Sequence, residues 1–388
     1  MGALSRRIAK IKAEANRKSY AKRMMHPAFM HLLIGVPVSA VRTLKDDGDW
    51  PDELLERVCD YYVWAHTQAG GADPSMWDEH EVLRNSFIDA LKRKDLGALR
   101  KDFKNLFQSI LLDGMSHGNS LFALEERNPY QKDFFPLRTI DCLLSLAEAV
   151  GTLPTPSYAQ MKLLTFVKAL QPDYASLMSQ VEEQLGFSLD MPLTGSPYVC
   201  DLGTRETAAD VLRHAYVAHR LKALGLSATS RIVEIGGGFG MLALCANRTG
   251  FNNFTIVDLP FVGAIQMGYL GSALGADVVS GGNETPAAAL NVIPPEGIND
   301  FEDNSVDIVI NCDSLPEMGE ETALNYIRHV RRISGRFLSI NQEAQKVHGE
   351  VAQNWVSQLV DQVGGFRRVY RFRHWMEQGY VEELYERV

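Results

Sequence analysis

The chain lacks the features that would mark a membrane-spanning, exported or disulfide-built protein. No apolar run approaches the roughly 20 residues that cross a bilayer, and the start has no apolar core of a secretory leader. Cysteine is scarce: five in 388 residues (Cys59, Cys142, Cys200, Cys245, Cys312), odd in number and without a C-x-x-C pair. That pattern argues against a disulfide framework or a structural zinc site and fits a reducing compartment. A surplus of positive charge is missing as well. The formal net charge of -9 excludes a general nucleic-acid binder. No repeat period or low-complexity tract occurs. What remains is the composition of a cytoplasmic globular protein of about two domains.

One stretch departs from this balance. Residues 1–26 carry Arg6, Arg7, Lys10, Lys12, Arg17, Lys18, Lys22 and Arg23 against the single acid Glu14, with Leu4, Ile8, Ile11 and Ala15 at helical spacing. A basic amphipathic helix is expected. It could touch the anionic face of the inner membrane. The plainer reading packs it on its own domain or on a second subunit of a homo-oligomer, because its apolar face is narrow and has no aromatic anchor.

Residues 27–195 read as an all-α domain for substrate binding or oligomerisation. Amphipathic runs such as "PDELLERVCDYYVWAHTQAG", "WDEHEVLRNSFIDALKRK", "LGALRKDFKNLFQSILLDG" and "TIDCLLSLAEAVGTLPTP" alternate with turn formers. A junction is expected near "LDMPLTGSPYVCDLGTRET", followed by one long helix, "AADVLRHAYVAHRLKALGL". From Arg231 strands and helices alternate: "RIVEIG", "FTIVDLP", "ADVVSG", "VDIVINCD" and "GRFLSINQE" are strands, separated by helical runs and one proline-rich loop. The final runs "RRVYRFRHW" and "YVEELYERV" read as a hairpin. The expectation for 196–388 is therefore an α/β, Rossmann-like, mostly parallel sheet with an antiparallel C-terminal hairpin, ligands lying at the carboxyl ends of its strands.

The stretch "RIVEIGGGFGMLALC" decides the ligand class. A P-loop needs G-K-[ST], and no lysine is present. A dinucleotide fingerprint starting at Gly236 would place its third glycine at Met241. The pattern present is acid-x-G-x-G-x-G, on Glu234, Gly236, Gly238 and Gly240. This resembles the first motif of class I S-adenosylmethionine-dependent methyltransferases. Bare glycine backbone allows close approach of an amino-acid tail and a ribose, and Asp258 at the end of the second strand can accept from ribose hydroxyls. Taken with "FTIVDLP", "INCDSLPEM" and "FLSINQE", in that order, the region from about Ala208 to Val388 resembles a bacterial family labelled sugar O-methyltransferases. Pro316 stands where that family's pattern carries glycine.

The resemblance implies cofactor contacts at Glu234, Gly236, Gly237, Gly238, Gly240, Asp258, Leu259, Asn311 and Cys312. Ahead of the core, Tyr198, Arg213, Tyr216 and His219 can close over the cofactor, Arg213 by pairing with its carboxylate. A sugar hydroxyl is a weak acid and needs a base at the strand ends. Glu317 and His348 rank first for that role, with Glu343 and Asp313 next. Each also has a structural reading: Glu317 as a helix cap, His348 as a loop residue, Asp313 on a backbone amide or the cofactor. Asp313, Glu317 and Glu343 could instead converge on a magnesium ion, although no ligand spacing requires one. His80 and His117 read as helix-start or loop residues that could reach the cleft.

The function expected is methyl transfer to a hydroxyl of a surface glycan, nucleotide-sugar or glycosylated metabolite, as in polysaccharide biosynthesis. The alternatives are N- or O-methylation of a non-sugar small molecule and a non-catalytic partner with a methyltransferase-like fold.

Overall fold

The computed structural model describes residues 39–68, 70, 74–116, 134–155, 172–284, 289–343, 347–348, 351–377 and 379–388. The basic segment 1–26 and His117 lie outside them.

An eight-stranded sheet organises the C-terminal half. Its parallel strands are β4 (Ile232–Ile235), β5 (Phe254–Val257), β6 (Val279–Gly281), β7 (Leu290–Ile293), β8 (Ile308–Cys312) and β9 (Arg336–Gln342), closed by β12 (Phe366–Arg373) and β13 (Tyr380–Arg387). The order across the sheet is β12-β13-β9-β8-β4-β5-β7-β6. Strand β13 runs antiparallel to both β9 and β12. Numbered from β4, with β6 as an added edge, the order is 3-2-1-4-5-7-6, an open Rossmann-like sheet with one reversed strand. The hairpin and the alternation were legible in sequence. Strand β7, "LNVI", falls inside the stretch read as a proline-rich loop. Its four residues are too few to show a period, and pairing with β5 on one side and β6 on the other makes them a strand.

Alternation along the strands divides the core. Ile232, Ile256, Ile310 and Leu338 face one cluster, and Val233, Val257, Val309 and Phe337 face the other. The second cluster is covered by α10 (Glu320–Ile333) and α11 (Val356–Val363). The first is covered by α7 (Ala209–Ala223), α8 (Met241–Arg248) and α9 (Pro260–Leu274), and continues without a break into Trp50, Leu54 and Phe103 of the N-terminal segment. Helix α9 is buried from Phe261 to Gly271 because α1 (Asp52–Gln68) lies against its outer face. The approach is too close for side chains: a Cβ on Gly263 would sit 2.2 Å from the Tyr61 hydroxyl.

Among the described residues, the segment read as all-helical has one strand, β1 (Val41–Thr43), which pairs antiparallel with β2 (Tyr198–Asp201), which in turn pairs with β3 (Glu206–Thr207). "WDEHEVLRNSFIDALKRK" is two helices, α2 (Asp78–Leu83) and α3 (Asn85–Arg93). They break at Arg84, a fully buried side chain whose guanidinium donates to the carbonyls of His80, Leu111 and Asp113. Helix α4 (Leu96–Lys104) stops at Asn105 and gives way to two 3-10 turns, Leu106–Gln108 and Ile110–Leu112. Helices α5 (Phe134–Ala149) and α6 (Tyr174–Leu185) follow among the described residues.

Candidate active site

A cavity of about 670 Å³ opens at the carboxyl ends of the parallel strands, within the usual range for small-molecule sites. It straddles β4 and β8, where the strand order reverses.

The glycine loop forms its floor. Gly236, Gly238 and Gly240 have φ of 72°, 55° and 97°, a region that side chains enter at a cost. Steric reasons differ along the loop. A Cβ on Gly236 would sit 2.1 Å from Ser314 Oγ, and one on Gly237 would sit 2.6 Å from Ile256 Cγ2. These glycines are bare because the protein presses on them. Gly238 is the one whose missing side chain leaves space, the nearest atom being Met115 Cβ at 3.8 Å. Gly236, Gly237 and Gly238 line the cavity, whereas Gly240 sets the start of α8.

Two carboxylates lie beneath the loop. Asp258 Oδ2 accepts from Gly237 N–H (2.8 Å) and Gln266 Nε2 (2.7 Å), and Oδ1 accepts from Leu259 N–H (2.8 Å). Burial still lifts its carboxyl to about 7 against those donors. These three donors take three of about four lone-pair sites, with Gly238 N–H also favouring the ionised form, so room remains for one further hydrogen bond at most. Glu234 is fully buried and lines the cavity, its Oε2 without a hydrogen-bond partner. Burial, and then the Asp258 charge, push its carboxyl far above the usual range. Leu259 and Cys312 also face the cavity. Asn311 lies under the loop as a brace, donating to the Ile235 carbonyl at 2.8 Å and to Ser314 Oγ at 2.5 Å.

The sequence-predicted bases separate in space. Asp313 lines the cavity at the end of β8, at φ 63°, with its N–H donating to Ile340 O and Asn341 Oδ1. Its Oδ2 accepts from the Tyr380 hydroxyl, and its Oδ1 is buried with no hydrogen-bond partner. Burial raises its carboxyl to about 6, the Tyr380 hydroxyl opposing. Glu317, on the 3-10 turn Leu315–Glu317 that Pro316 helps to form, also lines the cavity, but its Oε2 accepts from Trp77 Nε1 at 2.9 Å. Glu343 is not among the lining residues; its carboxylate pairs with Arg371 at 2.7 Å. His348 falls in the two-residue strand β10 (Val347–His348), which pairs with β11 (Val351–Ala352), and its side chain lies outside the described residues. Convergence of Asp313, Glu317 and Glu343 on a magnesium ion is not what the fold provides. Among the described residues no group of three or more His, Cys, Asp or Glu side chains could hold a metal ion.

Of the residues ahead of the core, Arg213 lines the cavity and Tyr198, Tyr216 and His219 do not. Tyr198 sits in β2 opposite Thr43, and Tyr216 donates to Glu382. Arg213 Nη1 donates to Glu377 Oε2 (2.7 Å) and Nη2 to Asp210 Oδ1 (3.2 Å), and its Nε is buried without a hydrogen-bond partner. His80 packs its ring on Trp77, away from the lining.

Sequence reasoning missed several lining groups: Glu296, just past β7, with a buried, unpartnered Oε2; Arg138 on α5; and His374, Glu377 and Tyr380 of the hairpin. A usable signal existed for the last three. An antiparallel strand beside β9 begins at the edge where the parallel strands end, so the hairpin turn must reach the ligand edge.

The lining is lopsided in charge. Among the described lining residues Asp210, Asp258, Glu296, Asp313, Glu317 and Glu377 face the two cations Arg138 and Arg213, while burial keeps Glu234 protonated. Such a crevice repels a pyrophosphate and favours a cation.

No protein-family model matches the chain, and no curated protein does. Among solved structures it is similar to a Pyrococcus horikoshii protein, at 15% identity over 45% of this chain and 88% of that one, TM-score 0.35. It is similar to a Galdieria sulphuraria protein provisionally titled a sarcosine dimethylglycine methyltransferase, at 13% identity over 45% and 85%, TM-score 0.34. A third is magnesium protoporphyrin IX methyltransferase from Synechocystis, solved with bound S-adenosylmethionine, at 14% identity over 46% and 80%, TM-score 0.32. Likenesses at this level decide nothing about chemistry.

Proposed function

We propose that this chain is an S-adenosylmethionine-dependent methyltransferase acting on a hydroxyl group, a sugar hydroxyl being the acceptor its motifs favour. One observation carries the reading: a bare loop at the switch point of the sheet, backed by Asp258 and set in a crevice with a strong surplus of acids. A nucleotide phosphate would find no lysine and few compensating charges there. A sulfonium nucleoside carries the sign of charge the crevice favours.

The unpartnered atoms fit that ligand. Arg213 Nε is a buried donor for its carboxylate, and Glu296 Oε2 is a buried acceptor for an exocyclic amine such as that of adenine. Asp258 has lone-pair capacity for a ribose hydroxyl, and Gly238 leaves space above the floor. When bound, S-adenosylmethionine supplies an electrophilic methyl group whose C–S bond breaks, its electron pair staying on sulfur, as the acceptor O–C bond forms. The protein's part is alignment and proton removal. Asp313 takes the acceptor proton: among the described candidate bases it lines the cavity and keeps a carboxylate oxygen without a hydrogen-bond partner. Glu317 holds Trp77 over the crevice and helps to exclude water.

The test is transfer of a labelled methyl group to panels of nucleotide-sugars, glycans and non-sugar alcohols and amines. Label on a sugar oxygen supports the whole reading. Label on amines alone sinks the hydroxyl assignment, and label on no acceptor, with no cofactor binding, sinks the enzyme.

A further inference from the structure

We propose that Tyr380 is the positioning residue for the base: its hydroxyl holds one oxygen of Asp313 so that the other faces the acceptor, and the Glu377 ion network fixes the hairpin turn that carries it. This rests on the methyltransferase reading above.

The geometry is built from three sides. Asp313 is held in the left-handed region at φ 63° by its N–H bonds to Ile340 and Asn341 of β9, which fixes where its carboxylate projects. Tyr380 is the first residue of β13, paired with Gln342, and its hydroxyl donates to Asp313 Oδ2. Asp313 Oδ1 is then the oxygen left for a substrate proton. The turn before Tyr380 is tied to two helices. Glu377 Oε2 accepts from Arg213 of α7 at 2.7 Å, and its Oε1 lies 3.1 Å from Arg138 of α5. Those arginines reach on to Asp210 and Asp141. Buried ion chains of this kind cost desolvation that apolar packing would avoid, so they are weak evidence for stability alone. Here the chain sets the position of a turn at the ligand edge.

The groups facing Asp313 oppose one another. Glu377 disfavours its ionisation, while Tyr380, Arg213 and the Gln342 side chain favour it; Cys312 is its buried neighbour. Removing the Tyr380 hydroxyl should therefore raise the Asp313 midpoint, and a stronger donor should lower it.

The experiment follows the carboxyl ¹³C resonance of Asp313 through a pH titration of the full chain saturated with S-adenosylhomocysteine, the signal assigned by its loss in Asp313→Asn. The wild-type midpoint is expected near 6. Tyr380→Phe should move it up by about one unit, and 3-fluorotyrosine at position 380, nearly the same shape, should move it down. With an acceptor in hand, Tyr380→Phe should lower kcat about tenfold or more with little change in cofactor affinity. Midpoints that do not respond to either replacement overturn the inference. Should Tyr380→Phe not fold, the fluorotyrosine protein alone decides. Failure of wild type to bind S-adenosylhomocysteine defeats the underlying methyltransferase reading, whereas normal binding with an indifferent midpoint defeats only the role of Tyr380.

Discussion

Asp258→Asn separates what this carboxylate costs the empty fold from what it does for a ligand. Burial lifts the Asp258 carboxyl from its ordinary 3.8 to about 7. Between those values the folded chain keeps a proton that the unfolded chain has lost. A raised folded-state pKa confers stability that is complete below the unfolded value and is lost as pH rises through the folded one. At about 1.4 kcal/mol per unit the full shift is worth up to about 4 kcal/mol. Because the side chain borders a cavity open to water, about 2 to 4 kcal/mol is expected. Asparagine has no such titration. Its amide meets the N–H donors of Leu259 or of Gly237 and Gln266 with a donor of its own, a penalty that does not vary with pH. The unfolding free energy of the variant relative to wild type should swing by about 2 to 4 kcal/mol in favour of asparagine between about pH 4 and pH 8, read by urea unfolding. At about pH 8, where the carboxyl is ionised, S-adenosylhomocysteine should bind the variant about tenfold or more weakly, since hydrogen bonds to a charged acceptor are the strong ones. A difference that stays flat with pH would refute the claim that Asp258 is a desolvated, proton-hungry carboxylate.

Three further outcomes follow from the same geometry. Gly236→Ala should lose about 3 kcal/mol or fail to fold, because it combines a φ of 72° with a Cβ 2.1 Å from Ser314 Oγ. Adding Ser314→Gly should return only the steric part, seen as partial recovery of Tm. Asp313→Asn should abolish methyl transfer while sparing S-adenosylhomocysteine binding, whereas Glu317→Gln, which keeps an acceptor for Trp77, should keep more than about a tenth of wild-type kcat. The reverse ranking would hand the base role to Glu317. With Asp313 raised to about 6, kcat should fall on the acid side of that value, about tenfold per unit at low pH, and the limb should vanish in Asp313→Asn.

The sequence made legible whatever was local. The β-branched run into bare glycines, the acid at the end of the second strand and the antiparallel closing hairpin each depend on residues within a few positions of one another. The partners of Arg213 in the cavity wall were not legible, because Arg138, Glu377 and Tyr380 reach it only through the packing of α5 and α7 against the hairpin. Glu343 shows the converse. Position just past β9 makes it look catalytic, yet Arg371 on β12 claims its carboxylate. Nothing in "INCDSLPEM" reveals that the backbone at Asp313 turns left-handed and brings Tyr380 to its carboxylate. The roles of the loop glycines also needed coordinates: only packing distances distinguish Gly236, bare against Ser314, from Gly238, bare toward open space.

The central claim is that the crevice between β4 and β8 holds a sulfonium nucleoside rather than a phosphate-bearing one. Calorimetric titration of the full chain with S-adenosylmethionine, S-adenosylhomocysteine, ATP and NAD tests it most directly. The account expects one-to-one binding of the first two, lost in Asp258→Ala, and no heat from the phosphates. Binding of ATP or NAD with no response to either adenosyl sulfur compound would contradict it.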